Sequence, residues 1–116
     1  MTDRELLEAA AKAAGVEIHE SDDGTMQRRP VWAMTHYVQG QPYSETVWNP
    51  LGDDAQALRL AVKLRLTVNC SYDDVALCGQ EFTQRQVFVE YNKEDANAAT
   101  RRAIVRAAAE IGKEMK

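Results

Sequence analysis

Apolar and polar positions recur with two periods along this chain, and the switches between them outline seven main elements. Thr2-Asp3-Arg4-Glu5 has the Thr-x-x-Glu form of a helix-capping box, and no Gly or Pro follows before Gly15. At 100° per residue Leu6, Ala10, Ala13 and Ala14 share one face with Leu7 beside them, opposite Arg4, Glu5, Glu8 and Lys12. A first helix is therefore predicted up to Ala14, with Gly15 as its stop. Val16 and Ile18 alternate with Glu17 and His19 as in a short edge strand, and residues 20–29 lack periodicity and read as a loop.

Residues 31–38 and 43–48 are rich in β-branched and aromatic side chains and flank Gln39-Gly40-Gln41-Pro42, which predicts a hairpin. Pro50 ends the second strand by biasing Asn49 away from helical geometry, and Asp53 and Gln56 then stand as N-cap and N3 of a second helix. On its wheel Ala55, Ala57, Leu58, Leu60, Ala61, Val62 and Leu64 cover more than half the circumference, leaving Gln56, Arg59 and Lys63 as a narrow polar stripe. That pattern predicts the most buried element of the molecule. Leu66, Val68, Cys70 and Tyr72 alternate with polar residues, as do Val87 and Val89, giving two more strands, and the Ala-rich residues 93–115 predict a long final helix with Ile104, Ala108, Ile111 and Met115 on its apolar side.

The order α-β-β-α-β-β-α predicts an α+β fold in which one antiparallel four-stranded sheet is packed with three helices. At 116 residues the chain is expected to form one domain, residues 1–116, because a second core would leave both halves too small. The N-terminus lacks the basic-then-apolar order of a signal peptide and no apolar run nears the ~20 residues of a membrane helix, so a cytoplasmic protein is expected. The net charge of -4 removes the overall basic field that nonspecific nucleic-acid binding draws on. Two cysteines, Cys70 and Cys78, are too few for a disulfide framework and have no metal-ligand spacing.

Two stretches carry a resemblance: Trp48-Asn49-Pro50-Leu51-Gly52-Asp53-Asp54 running into Ala57-Leu58-Arg59-Leu60-Ala61-Val62-Lys63-Leu64, and Thr100-Arg101-Arg102-Ala103-Ile104-Val105-Arg106-Ala107-Ala108-Ala109-Glu110-Ile111-Gly112. Both resemble small proteins encoded by bacteriophages and prophages, a group similar to the phage ABA-sandwich domain. The resemblance covers about a third of the chain and implies a phage or prophage origin and a layered arrangement with a sheet between helices. It brings no activity, substrate or catalytic residue with it.

Candidate chemistry is sparse. Trp48 and Asn49 with Asp53 and Asp54 place a ring, an amide and two carboxylates around a strand-to-helix junction, where a ligand or partner can meet backbone donors. Each of them also has a structural use, Trp48 as core and Asp53 as cap. Asp22-Asp23, Asp53-Asp54 and Asp73-Asp74 would hold Mg²⁺ for hydrolysis only if they converged, and all sit where turns or helix starts favour Asp anyway. His19 and His36 accompany no nucleophile motif, and no cofactor-binding motif is present. Arg28 and Arg29 before Pro30, near Trp32, form a further cationic pair.

On the last helix Arg102, Arg106 and Lys113 oppose the Ile104 face and form a basic stripe, diluted by Glu110 and Glu114. The leading expectation is thus a noncatalytic phage accessory protein that needs no cofactor or metal and binds a host or phage protein or a small ligand through the hairpin and the Trp48–Asp54 junction. Nucleic-acid binding by the basic stripe is the alternative, and a metal-dependent hydrolase the weaker one. The hairpin edge and the long amphipathic helix offer routes to a homodimer.

Overall fold

The computed structural model describes residues 2–22, 26–27, 30–70, 75–80, 86–90 and 95–115. Helix α1 (Asp3–Ala14) starts at Thr2, whose hydroxyl accepts from the Glu5 amide at 3.2 Å. It ends on Gly15 at φ 70°, which turns the chain left-handed and lets its N–H reach the last carbonyls. Strands β1 (His19–Asp22), β2 (Pro30–Val38) and β3 (Gln41–Val47) form an antiparallel sheet in that order. Gln39 and Gly40 close the hairpin with φ of 51° and 80°, the paired positive values of a type I′ turn.

Helix α2 (Asp54–Lys63) follows, capped by Asp53, and then β4 (Leu66–Asn69), β5 (Val75–Gln80) and β6 (Gln86–Glu90) make a second antiparallel sheet. Helix α3 (Ala96–Glu114) starts on Asp95, whose carboxylate accepts from the Ala98 amide at 2.8 Å.

The α+β class with three helices is as expected, but the expected single four-stranded sheet is replaced by two three-stranded ones. One extra strand, β1, begins at His19 and not at Val16. The other, β5, is the centre of its sheet, and its opening Val75-Ala76-Leu77-Cys78 run has none of the alternation that marks a half-exposed strand.

One buried cluster joins α1, α2, α3, Trp48 at the end of the hairpin and Cys78 of β5. Its centre is the α1–α3 contact, built from Leu6, Leu7 and alanines that are almost fully buried. The two helices run in the same direction, since Asp3 pairs with Arg102 and Lys12 donates to the Met115 carbonyl at 2.7 Å. They approach so closely at Gly112 that an added Cβ would press into the Ala9 carbonyl, whose carbon lies 2.7 Å from that position.

The most buried helix is α3 and not, as its wheel suggests, α2, which buries only Ala57, Leu60 and Ala61. Leu58 and Val62 are 62% and 69% exposed. An apolar face this wide leaves the roll of the helix to its polar anchors. Gln56 supplies them: its side chain accepts from the Asn49 amide at 2.6 Å and donates to the Val47 carbonyl at 2.7 Å. This ties the polar side of α2 to the end of β3 and turns Leu58 and Val62 outward.

Candidate functional site

The junction from Trp48 to Asp54 brings its residues together, but mostly for structure. Trp48 is 5% exposed, so the contact surface expected of it does not exist: its ring is core, and its amide donates to the Trp32 carbonyl at 2.8 Å. Pro50 is fully buried, and Gly52 closes a turn by donating to the Asn49 carbonyl at 3.0 Å. Asp53 caps α2 by accepting from the Gln56 amide at 3.0 Å. Asp54 pairs with Arg101 of α3 at 2.6 Å, and the same guanidinium donates to the Leu51 carbonyl at 2.8 Å. Arg101 was invisible as a site residue in the chain because its partners lie about fifty residues away. Asn49 is exposed, and among the described residues it is the one of the four whose side chain has neither a capping, an ion-pair nor a core role.

Trp48 forms a wall of two cavities. One, of about 320 Å³, lies between the start of α1 and β2 and is lined by Asp3, Arg4, Trp32, Asn49 and Leu51 among others. Its charges are already matched, Asp3 by Arg102 and Arg4 by Glu20, while the Arg4 guanidinium also stacks 4.5 Å from the Trp32 ring centre. The other, of about 290 Å³, lies between the end of α1, the inner face of the hairpin and α2.

The hairpin has two unlike faces. Trp32 and Met34 of its inner face pack on the core, and His36 on that face bonds Thr46 Oγ1 at 2.8 Å, as a structural strand histidine does. The outer face carries Thr35, Tyr37, Glu45 and Val47, with Ala33 buried between its flanking partners His19 and Val47. Glu45 accepts from His19 at 2.7 Å and from Ser21 at 3.2 Å across β2, and these bonds hold its carboxyl below the ordinary value of 4.5. Every residue of β3 is exposed, Tyr43 to 77%, and on neighbouring β2 Tyr37, whose register partner is Pro42, is exposed to 63%. The two tyrosines flank a hollow of about 300 Å³ with Pro42, Ser44 and Glu45.

The remaining candidates gain little. Arg102 pairs with Asp3 at 2.8 Å and Lys113 with Glu110 at 3.4 Å, and Arg106 also has a partner, so the basic stripe is largely spent within the chain. Asp22 ends β1, far in sequence from the capping Asp53, while Asp23, Asp73, Asp74, Arg28 and Arg29 lie outside the described residues. Among the described residues no three His, Cys, Asp or Glu side chains gather as metal ligands, and no helix is long and apolar enough to cross a membrane. Cys70 is exposed, whereas burial, with Cys70 nearby, pushes the Cys78 thiol up to about 12. No family model matches the chain, and no curated protein or solved structure matches it either.

Proposed function

We propose that this chain is a noncatalytic accessory protein, of the phage or prophage origin its two resembling stretches imply, that binds a protein partner in the bacterial cytoplasm through the outer face of its hairpin. The observation that carries the reading is the exposure of Tyr37 and Tyr43 around one hollow on a strand pair whose other face is anchored in the core. Tyrosines offer large contact area at low entropic cost and are enriched in interface cores.

Recognition is by side chains and not by strand addition. The turn makes Val38–Gln41 the closing pair, so the nitrogen of Pro42, one residue on, faces away from β2, where the free edge would otherwise offer a donor. A register shift next to Tyr37 further disturbs that half of the edge.

The test is capture of partners from bacterial lysate by the tagged protein and by a Tyr37→Ser/Tyr43→Ser variant, with thermal melts of both. A protein held by the parent and lost by an equally stable variant supports the reading, since losing a central tyrosine costs about 2 kcal/mol or more, roughly thirtyfold in affinity. A partner retained undiminished by the variant contradicts it.

A further inference from the structure

The cavity between α1, the hairpin and α2 has a chemical character that the roll of α2 creates. The polar stripe Gln56, Arg59 and Lys63 lines this cavity beside Trp48, Met34 and Leu60, with Arg59 and Lys63 exposed at its mouth. Gln56 is fully engaged by Val47 and Asn49. Among the described residues no hydrogen bond or ion pair engages the side chain of Arg59 or Lys63. Among the described residues no acidic side chain lines the cavity, although the chain as a whole carries a net charge of -4. Two cations without an acidic partner among the described residues therefore stand one helical turn apart at the rim of an apolar hollow.

The helix dipole accounts for Lys63 in the last turn of α2 but not for Arg59 a turn earlier. The neighbouring cavity behind Trp48 differs in this respect, since Asp3 and Arg4 there are both paired within the chain. At about 290 Å³ the space is near the lower bound of small-molecule sites, which combine apolar walls with a few converging polar groups.

We propose that this cavity binds a small organic anion whose apolar body lies against Trp48, Met34 and Leu60 and whose carboxylate or phosphate is held by Arg59 and Lys63. The guanidinium presents a planar fork to either head group and the ammonium adds a second point charge. The site is separate from the tyrosine face, because Met34 and Trp48 belong to the inner side of the hairpin.

The test uses one apolar body with three heads: 2-naphthoate, 2-naphthyl phosphate and the neutral 2-naphthamide, each titrated into the full chain and followed by amide and indole NMR shifts. The charged probes are expected to shift Arg59, Lys63 and the Trp48 indole and to bind at least tenfold more tightly than the amide. The ratio of naphthoate to naphthyl phosphate affinity tells which head group the site prefers. An Arg59→Gln/Lys63→Gln variant with unchanged melting temperature is expected to bind all three alike, whereas Leu58→Ser/Val62→Ser leaves the discrimination intact. Equal affinity for charged and neutral probes in the parent, absence of shifts at the cavity up to millimolar probe, or undiminished anion binding by the Arg59/Lys63 variant overturns the proposal.

Discussion

Gly112→Ala separates two opposed effects whose magnitudes differ. Gly112 lies inside α3, where alanine is intrinsically favoured over glycine by about 1 kcal/mol. Against this, the new Cβ meets backbone: the Ala9 carbonyl oxygen is in its path, with the carbonyl carbon 2.7 Å and the Cα 3.2 Å away. Backbone has no alternative rotamer, so α1 and α3 must spread, and the surrounding Ala10, Ala103, Ala108 and Ala109 are fully buried with nothing to give. Overpacking of this kind costs about 1–3 kcal/mol and sometimes more. With the upper part of that range winning over the propensity gain, the variant is expected to lose about 1–2 kcal/mol. For a domain near 100 residues that lowers the melting temperature by roughly 4–16 °C. Circular-dichroism melts, backed by urea titration, provide the assay. A variant that melts at or above the parent temperature refutes the close parallel approach of the two helices.

The roll of α2 is tested by comparing Leu58→Ser/Val62→Ser, expected to change stability by no more than about 0.5 kcal/mol per site, with Leu60→Ala, expected to cost about 2–5 kcal/mol; similar losses for both would place Leu58 and Val62 in the core. The two thiols are expected to differ widely toward iodoacetamide in the native state. Cys78, with its pKa pushed up to about 12, is only about one part in 10⁴ thiolate at pH 8, so Cys70 alkylates first and Cys78 reacts on unfolding; equal rates would count against the burial of Cys78. Glu45 is expected to titrate below 4.5 by carboxyl NMR, and His19→Ala, which removes the main bond to it, to raise that midpoint. Because its folded value is depressed, the contribution of Glu45 is present above pH 4.5 and is lost as pH falls through the lower folded value; a midpoint unmoved by His19→Ala would mean the bond is absent in solution.

Local chemistry was the legible part of this fold. Thr2 and Gly15 bound α1, Asp53 and Gln56 start α2, and Gly40 with Pro42 marks the hairpin, because caps and turns are decided by neighbours in sequence. The roll of α2 was not legible, since nearly every direction around it is apolar and the choice falls to bonds from Gln56 to the preceding strand. Its end also lacks the usual glycine: Arg65 takes the positive φ of 54° there. Strand β5 escaped for want of alternation, and Arg101 because Asp54 and Leu51 reach it only through tertiary packing. The same limit applies to the candidate site. Trp48 was expected to supply contact surface or core, and which of the two its ring serves depends on tertiary packing against the buried cluster, which forms only in the folded chain.

The central claim is that the outer hairpin face meets a protein partner, and site-specific photo-crosslinking tests it most directly. A benzophenone side chain placed at Tyr43 in protein produced in bacterial cells is expected to form one discrete adduct with another polypeptide on irradiation, and the same group at exposed Glu8 on α1 is expected to form none. Adducts from Glu8 with none from Tyr43 would contradict the claim and move the interface to the helical side of the molecule.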